Sequence, residues 1–191
     1  MENTNHKKVL IVVDMVNGFI TSGNMADEAI SHIIPECERL VKLFMDRGNE
    51  VVFIKDSHKS NCAEFNKFPT HCVIGTYEAE LVDALKKYES KATTFCKNST
   101  SAMFAPGFLN WLSKLREVDE VVIIGCCTDI CVMNLAIPMQ NYFDQENCPV
   151  KVVVPKNAVE TYDSPKHNRD EYNTMAFKFL NQAGIIVRET L

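Results

Sequence analysis

Six short apolar runs recur along the chain, and a segment of helical character separates each run from the next. The first run, Val9–Val13, is apolar throughout, which is typical of a strand buried on both faces of a parallel sheet. Parallel neighbours need long crossover connections, which are usually helical. The alternation therefore predicts a doubly wound α/β fold, with a mainly parallel six-stranded sheet and helices on both faces.

The bounds of the predicted elements follow from the apolar runs and from helix start and stop signals. The strands are expected at Val9–Val13, Val51–Ile54, Thr93–Cys96, Val121–Ile124, Val150–Val154 and Ile185–Val187. The helices are expected at Pro35–Arg47, Tyr77–Tyr88, Pro106–Leu115, from near Asp129 onward, and at Pro165–Gln182. Ser164 is the expected cap of the last helix, and Pro138 is expected to kink the helix that begins near Asp129.

Length, composition and charge limit the class of protein. A chain of 191 residues without a repeat or a Gly/Ser linker predicts a single domain over residues 1–191. The fractions of hydrophobic residues (46%) and charged residues (24%) suit a globular chain that can bury a central sheet. A net charge of -5, with no basic run longer than two residues, argues against a nucleic-acid partner.

The apolar run near the N-terminus is too short for a signal core or a membrane span, so we expect a cytoplasmic protein without a membrane partner. In that compartment the eight cysteines are expected to be free thiols rather than a disulfide framework. No second CxxC pair completes a four-cysteine zinc site. The sequence does not distinguish a monomer from a homo-oligomer.

Polar side chains follow four of the predicted strands. Asp14 ends the first, Asp56 and His58 follow the second, Lys97 follows the third, and the segment Gly125–Cys131 follows the fourth. Ligands of doubly wound sheets bind beyond the carboxyl ends of the strands. The sequence therefore predicts that carboxylates, an imidazole, an amine and a thiol converge at one edge of the sheet.

Cys131 is the candidate nucleophile. It follows Asp129, a natural N-cap residue, so its sulfur is expected in the first turn of a helix, where the helix dipole favours a thiolate. A cysteine on a helix is more often a buried packing residue. Asp14 and Lys97 at the same edge of the sheet reverse that preference, because a base, a cation and a nucleophile together suit acyl transfer.

A candidate metal site lies in the stretch after the second strand. Asp56, His58, Glu64 and His71 offer two imidazoles and two carboxylates, a ligand set that suits a divalent ion such as zinc, iron or manganese. The spacing is only moderately specific. The alternative is a polar surface loop that binds no ion.

Three motifs resemble the signature of the isochorismatase-like cysteine hydrolases. They are VVDMVNGF after the first strand, a lysine after the third, and GCCTDICV after the fourth. The stretch KDSHKSNCAEFNKFPTHCVIGT is similar to the metal-binding segment of the nicotinamidases, also called pyrazinamidases, within that family. The resemblance runs over nearly the whole chain. It implies hydrolysis of nicotinamide to nicotinate and ammonia, a reaction of NAD salvage, and of pyrazinamide as well.

The resemblance also implies roles for individual residues. Cys131 becomes the nucleophile, Asp14 the general base and acid, and Lys97 the cation that holds both. It implies a cis peptide between Cys126 and Cys127, with the backbone N–H groups of Cys127 and Cys131 facing the oxyanion. The implied metal ligands are Asp56, His58, Glu64 and His71, with zinc the first choice of ion, and the implied aromatic residues around the substrate ring are Phe19 and Phe68.

Three features depart from the family pattern, namely the Cys126–Cys127 pair, Asn98 after the lysine, and Pro138 in the nucleophile helix. Two alternative functions stay open. The first is another small-amide hydrolase of the same family, against which the four-ligand stretch argues. The second is a non-catalytic α/β module that binds a ligand or senses redox state, against which the intact Asp14, Lys97 and Cys131 argue.

Overall fold

A parallel sheet of seven strands forms the centre of the protein, in a computed structural model that describes residues 7–191 apart from the side chain of Arg116. The strands are β1 (Lys8–Val13), β2 (Glu50–Asp56), β3 (Thr93–Lys97), β4 (Glu120–Cys126), β5 (Lys151–Pro155), β6 (Val159–Glu160) and β7 (Ile186–Arg188). Their order is β3-β2-β1-β4-β5-β7, with β6 beside β4. The doubly wound fold and all six predicted strands are confirmed, and β6 is an additional strand of two residues.

Six α-helices cover the two faces of the sheet. They are α1 (Asn17–Ile20), α2 (Ile34–Asp46), α3 (Asp83–Lys86), α4 (Phe108–Leu112), α5 (Met133–Gln145) and α6 (Arg169–Gln182). Side chains of β1 alternate between two hydrophobic cores, one that it shares with α4, α5 and α6 and one that it shares with α1, α2 and α3. Among residues 7–191, no helix has the length and apolarity that a membrane crossing requires.

The predicted helix at Tyr77–Tyr88 is wrong. The chain forms a 3-10 turn at Tyr77–Ala79, the four-residue α3, and another 3-10 turn at Glu89–Lys91. Glu80 and Val82, which lie between the first 3-10 turn and α3, form backbone hydrogen bonds with the segment after β1. Asn17 N–H donates to Glu80 O, and Val82 N–H donates to Met15 O. Because these tertiary hydrogen bonds use backbone groups that a continuous helix would need, the helical pattern in the sequence is overridden.

The predicted Ser164 cap is also wrong. The backbones of Ser164 and His167 pair in a short bridge instead, and α6 begins later, at Arg169. Asn168 is the cap, because its side chain accepts a hydrogen bond from the backbone N–H of Glu171 at 3.0 Å. The residues between β6 and α6 therefore form a loop rather than the start of a helix, and a loop can cover the carboxyl end of β4.

Candidate active site

Lys97 lies at the centre of a buried charge cluster at the carboxyl ends of β2 and β3. Its Nζ is 2.6 Å from Asp56 Oδ1, 2.9 Å from Asp14 Oδ2 and 3.6 Å from Cys131 Sγ. Asp56 and Lys97 are register partners, which brings their side chains to one place. Burial lowers the pKa of Lys97, but Asp14 and Asp56 raise it by more, so the ammonium stays charged.

Asp14 follows β1 and is completely buried, with a left-handed backbone φ of 52°. Among residues 7–191 neither carboxylate oxygen has a well-directed hydrogen bond, so the contact with Lys97 is an ion pair. Burial raises the pKa of Asp14 to about 6, Lys97 opposes this increase, and Asp56 adds to it. A carboxylate with this pKa is ionised at neutral pH and can still accept a proton.

Cys131 lies in a π-helical turn, Thr128–Val132, that leads directly into α5. The residue before the turn is Cys127, and Asp129 is not the cap that the sequence predicted. The Asp129 carboxylate instead accepts hydrogen bonds from Thr161 Oγ1 at 2.6 Å and from His167 Nε2 at 2.9 Å. These bonds tie the nucleophile turn to the loop before α6.

The charge state of the Cys131 thiol differs from the expected one. Burial raises the pKa of Cys131 well above its usual value, Lys97 opposes the increase, and Asp14 and Asp56 add to it. The expectation of a pre-formed thiolate is therefore wrong, because two buried carboxylates and the loss of solvent outweigh one ammonium and the helix turn. The resting pair is a neutral thiol beside an ionised Asp14.

The approach of β4 to β1 places the nucleophile turn near Asp14. Gly125 has a φ of 112°, and a side chain there would collide with the carbonyl oxygen of Val13. Glycine is the residue that permits both the backbone angle and this close contact. The peptide between Cys126 and Cys127 is cis, as the resemblance implies.

A second cluster adjoins the first through Asp56. The Nε2 atoms of His58 and His71 are 3.1 Å apart, and Asp56 Oδ2 lies 3.2 Å from the former and 3.4 Å from the latter. Glu64 Oε2 is 3.7 Å from His58 Nε2, and it has no hydrogen-bond partner among residues 7–191. The structure thus groups Asp56, His58 and His71 at ligand distance from one another, while Glu64 adjoins this group through His58 and forms a second possible group with His58 and Cys62.

The three closest atoms of this cluster fit a divalent ion. Ligands about 2.0–2.1 Å from a tetrahedral ion lie about 3.3 Å from one another, and the distances between these atoms are 3.1, 3.2 and 3.4 Å. His71 Nδ1 contacts the Pro69 carbonyl at 2.7 Å, which directs the lone pair of its Nε2 into the cluster. Burial lowers the pKa of His71, but bonds with Asp56 and Pro69 raise it by more, so the cluster favours a positive charge at this ring.

One cavity of about 670 Å³ opens onto both clusters. Its lining includes Cys127 and Cys131, and also His71 with the rings of Phe19 and Phe68 next to it. The ring centroid of Phe19 is 5.5 Å from that of His71. The two predicted aromatic residues thus line the cavity, together with Asp27, Tyr162 and Arg169.

Comparison with known proteins agrees with this arrangement. Residues 8–190 match the family described as Isochorismatase domain. The chain belongs to the isochorismatase family. It is 38% identical to Nicotinamidase 1 of Arabidopsis thaliana over 177 residues, which are 83% of this chain and 71% of that protein.

Two further comparisons extend over most of this isochorismatase-family chain. An uncharacterized isochorismatase family protein of Bacillus subtilis is 30% identical, with 84% of this chain and 90% of that protein covered. The crystal structure of pyrazinamidase/nicotinamidase from Streptococcus mutans is 25% identical and has a TM-score of 0.81, with 95% of this chain and 99% of that chain covered.

Sequence reasoning missed several residues that hold the site of this isochorismatase-family protein. Thr100 binds Glu64 Oε1 through its backbone N–H at 3.1 Å and through its hydroxyl. His167 lies between the rings of Tyr162 and Tyr172, with centroids 3.9 and 3.7 Å away. Cys62 contacts His58. Of these, only Cys62 carries a local signal, because it falls inside the predicted metal-binding stretch.

Proposed function

We propose that the protein is a nicotinamidase, which hydrolyses nicotinamide to nicotinate and ammonia and thereby serves NAD salvage, and which hydrolyses pyrazinamide as well. The observation that carries the proposal is that one cavity holds a thiol beside a buried carboxylate and ammonium, and also a two-histidine cluster. The likeness to Nicotinamidase 1 of Arabidopsis thaliana supports the same substrate.

Cys131 is the proposed nucleophile and Asp14 the proposed general base. Because the thiol is neutral at rest and the pKa of Asp14 is about 6, the proton passes from sulfur to Asp14 as the sulfur attacks the amide carbon. Lys97 remains charged and stabilises the sulfur and the carboxylate through this step. Transfer to a carboxylate that is already in place removes the need for a free thiolate.

The tetrahedral oxyanion is proposed to bind the backbone N–H groups of Cys127 and Cys131, and each such donor typically contributes about 3 kcal/mol. Protonated Asp14 then gives its proton to the amide nitrogen, and the carbon–nitrogen bond breaks. Ammonia departs, and the acyl group remains bound to Cys131 as a thioester. Asp14 next takes a proton from water, the resulting hydroxide adds to the thioester carbon, and nicotinate departs as the thiol is restored.

A divalent ion is proposed at Asp56, His58, Glu64 and His71, and zinc fits these nitrogen and carboxylate donors best. When bound, such an ion supplies a Lewis acid that can accept the lone pair of the ring nitrogen of the substrate. Phe19 and Phe68 are proposed to pack on the two faces of the ring, which leaves the amide directed towards Cys131.

We propose a single hydrolase domain over residues 1–191 and a cytoplasmic location. All eight cysteines are free thiols, which suits a reducing compartment. The cavity suits a small-molecule amide as partner. The net charge of -5 argues against nucleic acid, while a monomer and a homo-oligomer both agree with the proposal.

The direct test incubates the purified, zinc-loaded protein with nicotinamide and follows ammonia with a coupled enzyme and nicotinate by chromatography. Equal amounts of the two products, formed in proportion to enzyme, are expected. The proposal would be contradicted if neither nicotinamide nor pyrazinamide were hydrolysed.

A further inference from the structure

The thiol of Cys62 is buried between the metal-binding stretch and the end of β3. Its Sγ lies 3.3 Å from Nδ1 of His58 and donates to the backbone carbonyl of Asn98 at 3.4 Å. Asn98 also accepts, through its side-chain oxygen, a hydrogen bond from the backbone N–H of Lys59 at 3.0 Å. Cys62 thus links the His58 ring to the residue that directly follows Lys97.

The hydrogen-bond partners of Cys62 bear on the tautomer of His58, because either ring nitrogen can carry the proton. A carbonyl oxygen only accepts, so the single thiol proton points towards Asn98. If the thiol proton points to Asn98, the sulfur can accept a hydrogen bond from Nδ1, and this pairing favours the tautomer in which Nδ1 carries the imidazole proton. In that tautomer Nε2 is unprotonated and its lone pair faces Asp56 and His71, whereas in the other tautomer Nε2 would donate to Asp56.

The same arrangement occurs at the other histidine, with a different partner. His71 Nδ1 faces the carbonyl oxygen of Pro69, an acceptor, at 2.7 Å. With both Nδ1 atoms protonated, the two Nε2 lone pairs face each other across 3.1 Å, beside an oxygen of Glu64 that has no hydrogen-bond partner in the described part of the chain. A backbone carbonyl orients one ring, whereas a side chain, which can be replaced by mutation, orients the other.

We propose that Cys62 is a positioning residue for the metal site, because its thiol holds His58 with Nδ1 protonated and Nε2 free to bind the ion. The inference rests on the proposed metal site, which it deepens. Cys62 acts through His58 rather than as a ligand, because its sulfur lies on the Nδ1 side of the ring, whereas Asp56 and His71 lie on the Nε2 side.

The test compares zinc affinity in four proteins, by competition with a chromophoric chelator, without substrate. They are the wild type, Cys62→Ala, Cys62→Ser and the control Cys37→Ala. Cys37 is equally a buried thiol that donates to a carbonyl, that of Ala158 at 3.7 Å, but it belongs to α2 and faces the hydrophobic core. Loss of an outer-shell partner typically weakens metal binding 10–100-fold, so a loss of about tenfold or more is expected for Cys62→Ala.

The serine variant separates hydrogen bonding from packing. A hydroxyl can accept from Nδ1 and donate to Asn98, so Cys62→Ser should recover most of the lost affinity, and Cys37→Ala should bind zinc like the wild type. Equal affinity of Cys62→Ala and the wild type would overturn the inference, as would equally weak binding by the alanine and serine variants. If the wild type itself bound no zinc, the proposed metal site would fail first.

A second readout uses the cobalt-substituted protein and does not depend on the alanine variant folding well. In proton NMR spectra of the wild type, the ring N–H protons of both ligand histidines should appear as shifted, slowly exchanging signals. In Cys62→Ser both should persist. A missing His58 N–H signal in the wild type, or a thiolate-to-cobalt charge-transfer band that disappears in Cys62→Ser, would contradict a positioning role.

Discussion

The proposed nucleophile cluster (Asp14, Lys97 and Cys131) and the proposed metal cluster share a contact with Asp56 but are built differently. In the nucleophile cluster, Asp14 directly follows β1, Lys97 ends β3, and Cys131 lies in a turn that leads into α5. In the metal cluster, only Asp56 belongs to a strand, while His58, Glu64 and His71 come from the connection that follows it. The sheet therefore determines the geometry of the nucleophile cluster, and a loop determines the geometry of the metal cluster.

The two clusters also differ in charge balance. Around Lys97 a buried ammonium faces two carboxylates and a neutral thiol, so the cluster contains its own cation. Around His58 a second imidazole and two carboxylates converge, and of these four groups only Asp56 is paired with Lys97. The first cluster therefore contains its own cation, whereas the second has a donor set that a bound cation would stabilise.

The largest effect is expected at the nucleophile. Cys131→Ala and Cys131→Ser should fold normally and lose at least about 10³-fold in kcat, because no neighbouring group can form the thioester. Circular dichroism and ammonia release measure the two properties. Cys37→Ala, a buried thiol outside both clusters, should keep its activity. Residual turnover of Cys131→Ala above about a tenth of the wild-type rate would rule out the covalent route.

Removing the cation of the nucleophile cluster should affect stability and pH dependence. Lys97→Met leaves two buried carboxylates uncompensated, so the free energy of unfolding should fall by about 3–5 kcal/mol in denaturant titrations. In the wild type, kcat/KM should rise as pH passes through about 6, because Asp14 must be ionised to act as the base.

Lys97 lowers the pKa of Asp14, so in Lys97→Met the acid limb of the pH profile should move to higher pH. Alkylation of Cys131 near pH 7 should slow, because the same cation lowers the pKa of the thiol. Lys55→Met is the matched control, since Lys55 pairs with a single carboxylate, Glu89, at 2.7 Å outside the site. If the acid limb did not shift in Lys97→Met, Lys97 would not control the pKa of Asp14.

Asp56 and His71 sharpen the comparison, because the first belongs to both clusters and the second to one. Both Asp56→Asn and His71→Ala should lose zinc binding. In metal-free protein only Asp56→Asn should speed alkylation of Cys131, because Asp56 raises the pKa of that thiol.

Each unit by which the pKa of Cys131 falls gives about tenfold more thiolate, so the gain in rate reports how far Asp56 raises this pKa. Mass spectrometry of the Cys131 peptide measures it. If His71→Ala accelerated alkylation equally, the two clusters would not be electrostatically distinct.

The smallest effect is expected at the loop that covers the nucleophile turn. His167→Ala removes the bond to Asp129 and the stacking with two tyrosines, so stability should fall by about 1–3 kcal/mol. The catalytic rate should fall less than tenfold, since His167 contacts no reacting group. The exposed His32, which faces Glu160 at 3.3 Å, provides the control, and His32→Ala should change stability by under about 0.5 kcal/mol. Equal losses in both variants would show that the loop does not support the turn.

The sheet and the nucleophile cluster were largely predictable from the sequence. The continuous apolar run before Asp14 and the β-branched run before Gly125 specify buried parallel strands, and the ends of such strands meet at one edge. The segment Tyr77–Tyr88 was not predictable, because its helical pattern is overridden by backbone bonds to Met15 and Asn17. Local sequence does not encode such distant partners.

The metal cluster was predictable as a set of residues but not as a geometry. The sequence indicates Asp56, His58, Glu64 and His71, yet nothing in it shows that Cys62 orients His58. The resting charge of Cys131 was predicted wrongly, because the cost of burial and the distance to Asp56 become visible only in three dimensions. The local sequence indicates a helix dipole near Cys131, but it does not indicate that two carboxylates lie close to this thiol.

The most direct test of the account compares nicotinamide with benzamide, each with zinc-loaded and with chelated protein. Benzamide has the same amide and ring size but no ring nitrogen, so an ion can orient only nicotinamide. The account predicts rapid ammonia release from nicotinamide with the zinc-loaded protein alone, and slow release from benzamide in both states. Cys131 should stay open to alkylation after chelation. Equal rates for the two amides, or full nicotinamide turnover by metal-free protein, would contradict it.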